Sequence, residues 1–164
     1  MDARYRRASD TPIEMTRYRH ILVPTDGSTL SERAVNTAVQ LARALGARLT
    51  AMYVVPEGVP TLFSGDKLYG SGVLGRRYKE MIGIQAKQAL AVVERHAATA
   101  GVACSSVRSL APQPWRAILR AAAGNRCDLI VMASHGREGL EALVLGSETT
   151  KVLARSRIPV LVCR

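Results

Sequence analysis

Two short stretches of the chain carry residue types suited to holding an anionic ligand. Thr25-Asp-Gly-Ser28 follows the apolar run His20-Ile-Leu-Val-Pro24 and sets the Asp26 carboxylate beside a glycine and a hydroxyl. Ala133-Ser-His-Gly136-Arg-Glu-Gly139 follows a second apolar run ending at Met132, and Gly146-Ser147 follows Gly136 after nine intervening residues. Glycines let backbone N–H groups approach phosphate oxygens, and a helix opening at Gly146-Ser147 adds N–H donors, a hydroxyl and the favourable end of its dipole. A carboxylate after a neighbouring strand suits ribose hydroxyls. The chemistry suggested is nucleotide binding. Each piece also has a plainer reading. Asp26 serves equally as the brace of an Asp-Gly turn, Ser147 as a helix N-cap, and Gly136 and Gly139 as turn residues. His135 and Arg137, on either side of Gly136, suit phosphate oxygens or bulk solvent alike.

Other chemistries find less support. The phosphate-binding string GxxxxGK[ST] is absent, and no Ser/His/Asp or Cys/His set is assembled by local signatures. Cys104, Cys127 and Cys163 show no metal-ligand spacing, and two of them adjoin apolar stretches, so they read as buried inert thiols. No metal site is expected. Asp26 is positioned to meet magnesium through a nucleotide, but no base for activating water accompanies it, so at most slow hydrolysis or self-phosphorylation is expected.

Composition narrows the class. The 164 residues are 48% hydrophobic and 22% charged, which suits one folded domain rather than a disordered chain. No apolar run approaches the ~18 residues of a membrane helix, and arginines interrupt the N-terminal stretch where a secretory signal would be apolar. A cytoplasmic protein without membrane attachment is expected. The net charge of +10 comes mainly from arginines spread along the chain. Such a surface attracts anions generally, and the dispersed aromatics form no stacking platform, so no specific nucleic-acid binding is expected.

The positioning elements follow from periodicity. Residues 1–18 are polar and Arg-rich and read as a flexible extension before a domain at 19–164. His20–Pro24 is a buried strand. Thr29-Leu-Ser-Glu32 reads as a capping box opening a helix with Leu30, Ala34, Ala38, Leu41 and Leu45 on its apolar face and Gly46 at its end. Residues 48–55 form a second strand, and a Gly-rich stretch, 57–76, is expected to be mobile. From Tyr78 to Ala100 a helix buries Ile82, Ala86, Ala89, Val93 and Ala97. A weaker strand covers 102–110, and Pro114 opens a helix, started by a packed Trp115, that stops at Gly124-Asn125. Residues 128–134 are continuously apolar, as when both sheet faces are covered. A helix from Gly146-Ser147 to Arg155 and a strand over 158–163 complete the chain. Strands alternating with helices predict a five-stranded parallel sheet with helices on both faces.

Three segments together, His20–Ser28, Asp128–Gly136 and Leu145-Gly-Ser147 with Ile158–Val162, give the chain a resemblance to the universal stress proteins that spans about Arg19 to Arg164. The ATP-binding branch of that family has Gly, two residues, Gly, nine residues, Gly, then Ser or Thr. Gly136, Gly146 and Ser147 match this pattern, whereas Ala133 stands at its first glycine. The resemblance implies an open sheet of order 3-2-1-4-5, of the adenine nucleotide alpha hydrolase-like fold. It also implies an adenine nucleotide, ATP with or without Mg2+, and a homodimer formed through the last strand, residues 159–163. By position Asp26 resembles the acid that contacts adenosine, Val54 the adenine-pocket residue, and Gly136, Gly146 and Ser147 the phosphate-binding positions. Pro24, Thr25, Met132, Ala133, His135, Arg137 and Glu148 complete the candidate set, Glu148 as a carboxylate that repels phosphate or complements the helix end. The expected role is a nucleotide-responsive regulator of a stress response. The alternatives are a stress protein that binds no ATP and works through dimer or partner contacts, and a slow Mg-dependent hydrolase.

Overall fold

The computed structural model describes residues 18–56, 73–135 and 145–164. Five strands, β1 (His20–Pro24), β2 (Arg48–Pro56), β3 (Cys104–Ala111), β4 (Leu129–Ala133) and β5 (Val160–Cys163), alternate with four helices. These are α1 (Thr29–Leu45), α2 (Val73–Thr99), α3 (Pro114–Gly124) and α4 (Ser147–Arg155). All neighbouring strands are parallel, in the order β3-β2-β1-β4-β5 expected above. The order reverses between β1 and β4, which lie side by side with Ile21 opposite Leu129 and Leu22 opposite Ile130. Among the described residues no helix is long and apolar enough to cross a membrane.

Two apolar cores explain why this sheet holds. On one face Val35, Ala38, Val39 and Ala42 of α1 and Val93 and Ala97 of α2 pack against Ile21, Val23, Leu49 and Val131. On the other, Ala117, Ile118 and Ala122 of α3 and Val152 of α4 cover Leu22, Met52, Ile130 and Met132. Every residue of β4 is buried, because both its faces are covered. Alanines recur on the helix faces toward the sheet, and their small side chains let helix backbones lie close to the strands.

Several boundaries differ from the sequence reading. The cap of α1 is Ser28, not Thr29: the Ser31 N–H donates to Ser28 Oγ at 3.2 Å. The buried stripe of α1 is Ser31, Ala34, Val35, Ala38, Val39 and Ala42, with Leu30, Leu41 and Leu45 at its margin. Both stripes share the alanines, and the smaller β-branched side chains take the sheet side. α2 begins at Val73, so the last residues of the expected Gly-rich stretch are helical. Residues 57–72 of that stretch, and residues 1–17 of the expected extension, lie outside the described residues. β3 starts at Cys104 because Val102 closes α2, its N–H donating to Ala97 O. β5 starts after Pro159, whose carbonyl accepts from the Ile130 N–H.

Helices α1, α2 and α3 end alike. The N–H of Ala47 reaches Ala42 O, that of Val102 reaches Ala97 O, and that of Cys127 reaches Ala122 O, each at 2.8 Å. The preceding residue turns left-handed: Gly46 (φ 62°), Gly101 (φ 70°) and, at the third end, Arg126 (φ 54°).

Candidate functional site

The candidate residues that the structure describes gather at the carboxyl ends of β1, β2 and β4. Pro24 closes β1, and the Thr25 N–H continues the ladder by donating to Met52 O at 2.8 Å. Thr25 is buried, its hydroxyl bonded to Ser31 Oγ at 3.0 Å and accepting from the Gly27 N–H at 3.1 Å. Asp26 Oδ1 accepts from the Ser28 N–H at 3.0 Å, the brace of an Asp-Gly turn in which Gly27 adopts φ 77°. This turn therefore presents a half-buried carboxylate on a backbone held from both sides. Val54, half-buried, packs on the core beneath α3.

At the end of β4, Met132 and Ala133 are buried. Ala133 pairs with Cys163 of β5, and its carbonyl accepts from Thr149 Oγ1 at 3.0 Å. Its methyl, where the resembling pattern has hydrogen, is thus taken up inside a packed strand, only 7% of the residue being exposed. The His135 ring, half-buried, contacts Ser134 Oγ through Nδ1 at 3.1 Å. Gly136, Arg137 and Gly139 lie outside the described residues.

Gly146 is held against this strand end, its N–H donating to Ser134 O at 2.8 Å. A Cβ there would stand 3.1 Å from Ser134 O and 3.3 Å from His135 Cα, both backbone atoms. A side chain there would require the neighbouring backbone to give by a few tenths of an ångström. Gly146 is also the N-cap of α4, which makes Ser147 its first helical residue rather than the cap. The first backbone bond of α4 runs from the Thr150 N–H to Gly146 O. Hence the N–H groups of Ser147, Glu148 and Thr149 have no acceptor within the helix, at the positive end of its dipole.

Glu148 has a role that the sequence did not disclose. Its Oε2 accepts from the Trp115 N–H in the first turn of α3 at 2.8 Å, and its Oε1 from Lys151 Nζ at 2.7 Å. Gln113, the N-cap of α3, makes no side-chain cap bond, so α4 supplies the cap of α3. A glutamine before Pro114 hints that an acceptor must come from elsewhere, but not from where. Trp115 packs at the start of α3 as expected, with the Arg116 and Arg155 guanidiniums over its ring at 5.0 and 4.8 Å.

Burial pushes the Cys127 thiol up to about 11, with Asp128 adding to the shift and Arg48 opposing it. Burial also raises Cys104. Both stay protonated near neutrality, as inert thiols do. Among the described residues no group of three or more His, Cys, Asp or Glu is placed to hold a metal ion.

The sheet order defines an open doubly wound α/β domain, with its candidate site beyond the ends of β1 and β4. Residues 17–164 match the model of the universal stress protein family, and the chain belongs to that family. It is 33% identical over 147 residues to universal stress protein MJ0531 of Methanocaldococcus jannaschii, covering 90% of this chain and 82% of the relative. It is 35% identical, again over 147 residues, to a universal stress protein of Thermus aquaticus, covering 90% and 99% respectively. Among solved structures, UspA from Lactobacillus plantarum superposes with a TM-score of 0.71 at 28% identity, covering 90% of this chain and 99% of that one. A universal stress protein in complex with cAMP superposes with a TM-score of 0.65 at 24% identity, covering 91% and 98%.

Proposed function

We propose that this protein binds an adenine nucleotide, ATP in the first instance, between the Asp26 turn and the first turn of α4, and acts as a nucleotide-responsive regulator of a stress response. The observation that carries this reading is the placement of both turns beyond neighbouring strands where the sheet order reverses. On one side stands a braced carboxylate suited to ribose hydroxyls. On the other are three N–H groups without intrahelical acceptors, suited to phosphate. The Ser147 hydroxyl is exposed beside them. Val54 offers an apolar wall at the end of β2 for the base. The two departures from the resembling motif fit this reading: the Ala133 methyl is buried, and Glu148 carries its charge to α3 and Lys151. A universal stress protein of the same fold in complex with cAMP adds support.

ATP bound here would supply a ribose to Asp26 and phosphates to the start of α4. Any Mg2+ would come with the phosphates. The chain's own part is to bind and orient. Loss of the Asp26 charge is expected to weaken ATP binding ten- to a hundredfold, the equivalent of roughly 1.5–3 kcal/mol for a hydrogen bond to a charged group. Asp26→Asn keeps an acceptor for the Ser28 N–H, so it separates ligand binding from turn bracing. Calorimetry at fixed salt compares the wild type, Asp26→Asn and Gly146→Val, with circular dichroism checking that each variant is folded. Unchanged ATP affinity in both folded variants would refute the site and favour a stress protein that works through contacts alone.

The same reading includes a homodimer through β5. This strand is an edge of the sheet, and Leu161 on it is 39% exposed. Leu161→Lys is expected to convert a dimeric mass in sedimentation to a monomeric one, and a wild-type monomer at micromolar concentration would rule the dimer out.

A further inference from the structure

Helix α3 and the end of β3 enclose a groove of about 570 Å³ on the face of the sheet opposite α1. Ala111, Pro112, Trp115 and Leu119 give it an apolar floor, and Arg116 and Arg120 stand one helical turn apart along it. Arg155 of α4 reaches the same Trp115 ring, bringing a third guanidinium to this surface. Among the described residues these three arginines form no ion pair. Glu148, the carboxylate that meets α3, is taken by the Trp115 N–H and Lys151. Tryptophan and arginine around an apolar pocket are the residue types that concentrate binding energy at protein interfaces.

We propose that this groove docks a short acidic segment of a partner protein. An apolar side chain of the segment rests on Leu119 and Ala111 beside the edge of the Trp115 ring, and carboxylates flanking it pair with Arg116 and Arg120. The spacing suits this occupant. Arginines four residues apart on a helix stand ~6 Å from each other along the axis, close to the separation of alternate residues in an extended strand. The charge complementarity is one-sided, because a chain of net charge +10 repels a second copy of itself at a basic face. The apolar floor favours peptide over nucleic acid. Two guanidiniums already lie over the Trp115 ring, where a base would have to stack.

Trp115 is the only tryptophan of the chain, so its emission reports on this groove directly. The probe is a dye-labelled peptide of alternating glutamate and leucine, followed by Trp115 emission and by anisotropy of the label. The expected result is a saturable response in both. The double variant Arg116→Glu/Arg120→Glu weakens it about tenfold or more, and Arg116→Gln/Arg120→Gln weakens it less. Arg33→Glu/Arg43→Glu on exposed positions of α1 changes the net charge as much as the first variant and leaves binding intact. Equal weakening by both glutamate pairs would reduce the effect to general attraction and overturn the proposal. So would an equal response to a glutamate–serine peptide, a saturable response to single-stranded oligothymidylate alone, or no saturable response.

Discussion

Removing the Glu148 carboxylate is expected to loosen two helices at once. Its Oε2 is the side-chain acceptor for the Trp115 N–H in the first turn of α3, and the negative charge sits at the positive end of that helix. Loss of a helix cap costs about 1 kcal/mol, and loss of a favourable charge at a helix end ~0.3–1 kcal/mol. The pair with Lys151 is more than a third exposed on each side and adds at most a few tenths of a kcal/mol. Glu148→Ala is therefore expected to destabilise the fold by about 1–2 kcal/mol, or ~2–8 °C in Tm for a domain of this size. Glu148→Gln keeps an acceptor for the Trp115 N–H and gives up only the charge, so less than half of that loss is expected. Lys151→Met is expected to cost under about 0.5 kcal/mol. Urea unfolding of the three variants, followed by circular dichroism and by Trp115 emission, measures each. Equal midpoints for Glu148→Ala and the wild type would refute the bridge between α3 and α4, and a full loss in Lys151→Met would assign its energy to the ion pair.

Three further outcomes are expected. Burial, with Arg48 adding to it, holds His20 below its ordinary value of 6.5, against a smaller opposing effect of the Asn125 backbone and Asp128. The folded state then binds fewer protons than the unfolded one, so the stabilisation is complete above the unfolded value and is lost as pH falls through the folded one. Urea midpoints taken from about pH 7.5 to about pH 5 should decline, and His20→Gln should flatten that decline. Gly146→Ala forces a methyl against the Ser134 and His135 backbone and is expected to destabilise by about 1–3 kcal/mol in thermal melts, with wild-type stability counting against the close approach. Arg126→Gly relieves a left-handed residue at the end of α3 and is expected to raise stability by roughly 0.5–1 kcal/mol, which an unchanged or lower urea midpoint would contradict.

What could be read from the sequence was local chemistry with a single outcome. Gly46 and Gly101 announce helix ends because the left-handed turn suits glycine, and both stand there. The run at β4 and the alternation of strands with helices gave the sheet, and the family's order of strands was observed. What escaped was choice between equivalents. Ser28 and Thr29 carry the same capping hydroxyl, and only the chain direction out of β1 selects Ser28. Leu30 and Leu41 compete with Val35 and Val39 for one stripe of α1, and the sheet surface chooses the smaller side chains. Arg126 gives no local signal, since an arginine rarely turns left-handed. In the site, the Asp26 turn and the glycine at 146 were legible from residue type, while the engagement of Glu148 joins residues 33 apart and depends on how α3 and α4 pack.

A parallel sheet built from Val, Ile, Leu and Ala has a hazard: sliding one strand by two residues keeps every side chain on its own face. Here a polar chain crosses three strands. His20 Nε2 meets Thr50 Oγ1 at 2.7 Å, and Thr50 Oγ1 meets Ser105 Oγ at 3.0 Å, with Leu22 opposite Thr50 and Thr50 opposite Ser105 in the ladder. His20 and Thr50 are buried. A two-residue slip of β2 would leave both in the interior without these partners, at about 1–3 kcal/mol for each unsatisfied group. The apolar side chains hold the strands together without distinguishing one alignment from the next; this chain of hydroxyls and imidazole distinguishes them. It thereby fixes how far the end of β2 stands from that of β1, and so the distance between Val54 and Asp26.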